Sequence, residues 1–370
     1  MTWRFLVLIA LVSTVFVGKE TSVRAETFNR SESLEKNSPK LAQAISAENY
    51  FNRGVAKYNS RDYQGAIADY NEAIRIKPNY AEAYNNRGVA KYNSRDYQGA
   101  IADCNKAIRL NPNLAEAYGN CGNAKSQLGD YQGAIADYSE TIRLNPNYTE
   151  SYIGRGNANF NLGDYQGAIA DYNKTIDINP NFAKPYSNRG LVKSQLGDYQ
   201  GAIADYNKAI LINPNYAEAY SNRGLVKSQL GDYQEAISDY NKALLINPNL
   251  ATGYYNRGLA KDDLGEKQGA IADYTEAIRL KPDYVNAYYN RGIVKKALGD
   301  KQGAIADYTE VIRLEPDYAV TYYIRGLIKK GIGEKQEALV DLRKASELFQ
   351  QQGNTEWYNK SRDRIRELGG

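Results

Sequence analysis

Eight prolines, Pro78, Pro112, Pro146, Pro180, Pro214, Pro248, Pro282 and Pro316, stand 34 residues apart. A fixed period of this length marks one supersecondary unit copied end to end. Such a unit has too little apolar surface to fold alone and buries it by stacking on its neighbours. The spacing therefore predicts a solenoid whose core is a seam that lengthens with each copy. A long surface of this kind suits holding a partner better than enclosing a reaction.

Counting from Ala47 places each proline at position 32 and gives nine units: 47–80, 81–114, 115–148, 149–182, 183–216, 217–250, 251–284, 285–318 and 319–352, the last without its proline. In the fifth unit the residues around Tyr186, Gly190 and Leu196 read as a first helix. Gly197 can end it in the left-handed conformation and Asp198 can N-cap the next. The second helix carries Ala202, Ile203, Tyr206 and Ile210 at helical spacing, and Asn213-Pro214 stops it. At the start of the second unit, Asn79 with Glu82 three residues on reads as a capping box. Thr355 to Leu368 puts Trp357, Ser361, Ile365 and Leu368 on one face, with Lys360, Arg362, Asp363 and Arg366 opposite. Residues 353–370 thus read as the polar cap that a repeat array needs at its end.

With Gly at position 8, Ala at 20, an aromatic at 24 and Pro at 32, residues 47–352 resemble the tetratricopeptide repeat, in the Asn-Arg-Gly form common in exported bacterial proteins. The resemblance implies an all-α, right-handed superhelical solenoid of nine helix-turn-helix units. It also implies a concave groove lined by the first helices through positions 2, 5, 6, 9, 12 and 13, and protein or peptide segments as partners.

Composition narrows the alternatives. The 47 basic and 43 acidic residues are mixed along the chain and net to +4, with none of the clustered basic face that nucleic acid requires. There is no histidine, the commonest acid–base group and metal ligand. Two cysteines alone do not make a zinc site. No catalytic motif stands out, so the expectation is a non-enzyme without metal or cofactor. At the N-terminus, Arg4 precedes the uncharged apolar run Phe5–Val17, and Val23-Arg24-Ala25 offers a small-residue cleavage site. Residues 1–25 read as an export signal, which predicts a periplasmic or extracellular protein. If residues 1–18 were retained, the chain would instead be a membrane-anchored adaptor, although 13 residues are short for a span. Residues 26–46 read as a polar linker and a helix lead-in at Ser38-Pro39.

The copies can be read against one another. Glycine fills position 8 in every unit, from Gly54 to Gly326, and tyrosine fills position 4, from Tyr50 to Tyr322. The glycines predict close approach of the paired helices, with Ala66, Ala100 and their equivalents opposite. Position 7, where the family usually has leucine, is arginine in eight units, from Arg53 to Arg325, and position 23 is aspartate in all nine. A half-buried arginine needs a carboxylate. Each arginine is therefore expected to bond an aspartate of its own or the preceding unit. The exception is Cys121 at position 7 of the third unit; Cys104 stands at position 24 of the second, where the units on either side have Tyr70 and Tyr138. Position 24 should pack near the first helix of the next unit, so the pair either fills space as two small residues or forms a disulfide, which an oxidising compartment permits.

Seven units carry asparagine at position 6: Asn52, Asn86, Asn120, Asn188, Asn222, Asn256 and Asn290; Gly154 and Ile324 break the row. An amide can donate to and accept from one peptide unit. This row looks like the asparagine ladder in the tetratricopeptide domain of O-linked N-acetylglucosamine transferases, which implies binding of extended polypeptide. Toward the C-terminus, position 5 becomes Tyr255, Tyr289 and Tyr323 beside Leu259, Ile293 and Leu327 at position 9, a composition suited to a hot spot. Lysines that could clamp a C-terminal carboxylate are missing from the groove, where only Lys184 occupies position 2.

Overall fold

A computed structural model describes residues 46–370. The export-signal, linker and Ser38-Pro39 readings lie outside the described residues. Among those described there are nineteen helices and no strand. Eighteen of them form nine hairpins in chain order, and the first helix of each hairpin begins at Ala47, Ala81, Ala115, Thr149, Ala183, Ala217, Ala251, Val285 or Ala319. The nineteenth, Thr355–Glu367, closes the end of the stack. None is long and apolar enough to cross a membrane.

Local chemistry sets the helix boundaries. Asp198 accepts a hydrogen bond from the Gly201 amide at 2.9 Å, and Asp62, Asp96, Asp130, Asp164 and Asp300 repeat this cap. Just before it, Gly197 takes φ +81°, the left-handed conformation that ends the first helix. In the first two units Arg61 and Arg95 hold the equivalent place at φ 65°, where a Cβ is strained. The expected capping box at Asn79 does not form. Tyr80 is the N-cap residue, and no side chain caps the helix. The backbone closes the turn itself, with the Tyr80 amide donating to the Lys77 carbonyl and the Ala83 amide to the Tyr80 carbonyl. In later units the asparagine before the proline accepts from the amide two residues on, as Asn111 does from Asn113 at 3.1 Å.

The core is a row of small repeated clusters. Six of them pair a buried alanine at position 20 with the tyrosine at position 24 and an aliphatic residue of the next first helix; Ala202, Tyr206 and Val226 form one such set. The first helices of successive units also touch one another from the first unit to the seventh, which makes them the inner layer of the stack. The cap helix buries Ser361, Ile365 and Leu368 against the last hairpin and leaves Lys360, Arg362, Asp363 and Arg366 exposed.

The glycine at position 8 is required chiefly by the tyrosine ring, rather than by the small alanine opposite. A Cβ at Gly258 would sit 2.8 Å from the Tyr274 ring, and one at Gly54 2.7 Å from the Tyr70 ring. At Gly88, where Cys104 replaces the tyrosine, the nearest atom is the Ala100 carbonyl oxygen at 3.2 Å. Gly258→Ala is therefore expected to destabilise by about 2 kcal/mol through overpacking. Gly88→Ala should cost clearly less, because the helix-propensity gain of about 1 kcal/mol offsets a milder contact. Urea unfolding of the two variants checks this ranking.

Candidate functional site

The first-helix face is built around a repeated ionic clamp. In eight units the guanidinium at position 7 donates two hydrogen bonds to the aspartate at position 23 of its own unit; Arg223 reaches Asp239 at 2.8 and 2.5 Å, and Arg53 makes the same pair with Asp69. The partner is thus always the unit's own aspartate. These carboxylates are nearly inaccessible, with Asp341 only 2% exposed. A lysine at position 11 joins from the same helix, as Lys227 does at 3.1 Å from Asp239; in the fourth unit Asn159 takes its place and donates to Asp171 at 3.3 Å. The other edge of the guanidinium crosses the unit boundary. Arg87, Arg189, Arg223 and Arg257 donate to Asn71, Asn173, Asn207 and Asn241 at position 25 of the preceding unit, and Arg155, Arg291 and Arg325 donate to Ser139, Thr275 and Thr309 there. The position 4 tyrosine lies beneath the guanidinium, 5.5 Å away for Arg223 over Tyr220. The lysine and position 25 partners were readable from the period, since both positions repeat, but their contacts were not anticipated.

At the second-to-third junction the clamp is replaced. Cys104 and Cys121 are joined as a disulfide, with Cα atoms 5.6 Å apart and both side chains buried. Asp137 therefore lacks a guanidinium and keeps only Lys125, at 2.7 Å. It is half-buried, and desolvation pushes its carboxyl above the usual range, whereas Arg53 holds the Asp69 carboxyl below it.

The asparagine row divides into engaged and open members. Asn188 donates to Asn157 at 3.0 Å, and Asn157 in turn accepts from the Tyr172 hydroxyl at 2.7 Å. Asn120 donates to Asn85 at 2.9 Å, Asn86 accepts from Asn85 at 3.2 Å, and Asn290 donates to the Tyr255 hydroxyl at 2.9 Å. Asn52 is exposed. Asn222 and Asn256 are half-exposed and carry no side-chain hydrogen bond among the described residues. Where Gly154 breaks the row, the Tyr138 ring fills the space, 2.5 Å from a notional Cβ, and its hydroxyl turns to Asn123 at 2.8 Å. Where Ile324 breaks it, the buried Tyr308 hydroxyl has no hydrogen-bond partner among the described residues. The row thus serves in part to satisfy polar groups of the seam.

The C-terminal tyrosines are not an open patch. Tyr255 packs on Tyr274 and Tyr284, with ring centroids 5.9 and 4.9 Å away, and Tyr289 packs on Tyr308 and Tyr318. Burial pushes the Tyr289 hydroxyl up to about 12. Tyr323 is only 7% exposed because Trp357 of the cap helix stands edge-on against it, 5.3 Å away. As a groove contact Tyr323 is therefore corrected: position 5 points into the seam, and the cap covers its last member. Ile293 is exposed, while Leu259 and Leu327 are half-buried. No cluster of residues suited to a metal ion occurs among the described residues.

Tetratricopeptide repeat family models match residues 81–114, 217–250 and 285–318, and a further model of the same repeat matches 54–94, 122–163, 156–197, 194–231 and 262–299. No curated protein matches the chain in sequence. Among solved structures, the APC/C hetero-tetramer Cut9-Hcn1 is similar with a TM-score of 0.56 and 18% identity, covering 72% of this chain and 52% of that one. The chain therefore spans about half the length of that relative. A tetratricopeptide repeat protein from Parabacteroides merdae is similar with a TM-score of 0.53 and 22% identity, covering 67% of this chain and 98% of that one.

Two outcomes are expected from this geometry. Reducing the Cys104–Cys121 bond, which closes a separation of 17 residues, should cost about 3 kcal/mol. Thermal melts and intact mass with and without reductant measure it; two free thiols in native protein would refute the bond. Tyr308→Phe should stabilise by about 1 kcal/mol by removing an unpaired buried hydroxyl, whereas Tyr172→Phe should cost about 1 kcal/mol by leaving Asn157 short of a donor. Urea unfolding of the two phenylalanine variants compares them.

Proposed function

The chain belongs to the tetratricopeptide repeat family, and on that premise we propose that it is a non-catalytic scaffold that holds extended polypeptide segments along its first-helix face. Its repeats make it a protein–protein interaction scaffold. The observation that carries the finer reading is the pair of open amides, Asn222 and Asn256, one unit apart and beside Leu225 and Leu259. An amide that owes nothing to the seam can bond a peptide unit of a ligand in both directions, and the neighbouring aliphatics supply apolar contact. The engaged asparagines have already committed a donor or an acceptor to the seam, which fixes the orientation of the amide. Binding is therefore centred on the sixth and seventh units rather than spread along the whole row.

Export through residues 1–25 forms part of the proposal, with the cell envelope as the setting. A disulfide between Cys104 and Cys121 fits an oxidising compartment. N-terminal sequencing of the mature protein distinguishes release, with Glu26 first, from retention of residues 1–18 as an anchor.

Peptides selected on the wild-type protein should lose about tenfold in affinity for the Asn222→Ala/Asn256→Ala variant, as expected for two lost amide contacts of about 0.7 kcal/mol each. Fluorescence anisotropy with one labelled peptide reads this. Unchanged affinity would remove the amides from the interface.

A further inference from the structure

The exposed side of the second helices carries a local departure from the repeat. At positions 26 and 29, four units neutralise their own charge: Glu72 pairs with Arg75, Glu140 with Arg143, Glu276 with Arg279 and Glu310 with Arg313, at 2.8 to 2.9 Å. The ninth unit does the same with Lys344 and Glu347. The second unit carries two cations, Lys106 and Arg109, and the fifth and sixth units replace the second partner with leucine. They carry Lys208 with Leu211, and Lys242 with Leu245. The lysines are exposed and make no ion pair among the described residues. Leu211 and Leu245 are 73% and 75% exposed, more than any other large apolar side chain described. In the fourth unit Lys174 has the acidic Asp177 at position 29, so the unneutralised pair with leucine is confined to the fifth and sixth.

Nothing in the stack requires this change. Position 29 accepts arginine in five other units, and position 26 accepts glutamate in four. An exposed leucine contributes little to the fold, and a pair at repeat spacing beside unneutralised cations makes a small amphipathic surface. We propose that the outer face of the fifth and sixth units docks an acidic polypeptide segment that presents carboxylates beside apolar side chains. Charge complementarity selects the partner: Lys208 and Lys242 have no acidic residue at position 29 and stand beside exposed leucines instead, so carboxylates from another chain complete the pairs. The leucines then lose their water against that chain's apolar residues. This surface lies on the second helices, apart from the first-helix face that carries Asn222 and Asn256, and it does not depend on the groove reading.

The test uses the full chain and a fluorescein-labelled amphipathic peptide with leucines on one face flanked by glutamates, alongside a counterpart with lysines in place of the glutamates. Wild-type protein should bind the acidic peptide and ignore the basic one, and binding should weaken as salt rises from about 0.05 to 0.5 M. The variant Lys208→Glu/Leu211→Arg/Lys242→Glu/Leu245→Arg installs the pairs of the first, third, seventh and eighth units, so its thermal melt should match wild type. It should bind the acidic peptide at least about tenfold more weakly. Asn222→Ala/Asn256→Ala should leave this binding unchanged. Equal binding by the four-residue variant overturns the proposal. So does capture of phosphatidylglycerol vesicles without capture of the peptide, which would make the surface a lipid contact.

Discussion

From Arg87 onward each guanidinium at position 7 is held on two sides, and the stack depends on both. One edge grips the buried aspartate of the same unit, and the other reaches the amide or hydroxyl at position 25 of the unit before, as in Arg223 with Asp239 and Asn207. Burying a carboxylate costs several kcal/mol unless its lone pairs are met by well-placed donors. Arginine supplies two in a rigid fork, and the position 11 lysine supplies a third. The pair alone would fix only the angle within one hairpin. The bond to position 25 uses the donors left over to fix one hairpin against the next. A single residue type thereby ties the geometry inside a unit to the geometry between units, and repetition carries that geometry along the chain.

The second-to-third junction shows what this coupling demands. Cys121 can neither hold Asp137 nor reach across as arginine does, and Cys104 removes the ring that backs the position 8 glycine. The consequence is visible locally: Asp137 is less buried than its equivalents and keeps Lys125 as its one cation. A covalent bond between the same two positions substitutes for the boundary contact. It restores the connection without restoring the ionic pair. That junction alone relies on sulfur chemistry, while the other clamped junctions rely on hydrogen bonding.

Much of this was legible from the sequence because a repeated chain displays its own constraints. The proline period gave the hairpin boundaries, and the joint recurrence of positions 7 and 23 gave the clamp. Other features lay beyond that method. Gly258 and Tyr274 both recur, but recurrence does not say that the ring occupies the glycine's missing Cβ. The asparagines at position 6 look alike in sequence, yet Asn188 is bonded to Asn157 while Asn222 is open. That difference arises from position 9, which is asparagine in the unit before Asn188 and leucine in the unit before Asn222. The tyrosines at position 5 suggested a surface because the pattern does not reveal which way a side chain points. The Asn79 cap failed because a backbone turn competes for the same donors.

Once clamp, ring and seam have taken their residues, few positions remain free to vary. The departures that survive cluster in the fifth to seventh units: open amides on the first helices, and cations beside leucines on the second. The fifth and sixth units are nearly identical in sequence, so the cation-and-leucine pair arises there in duplicate, one repeat apart, and the two open amides stand at the same spacing in the sixth and seventh. Duplication has a physical consequence that a single site lacks. Two weak contacts at a fixed spacing act on a linked ligand as one, because the second forms at the high effective concentration set by the first. A rigid stack holds that spacing, and the clamp at each boundary supplies the rigidity. The interaction that builds the solenoid is thus also what would let shallow, repeated surfaces bind with useful strength.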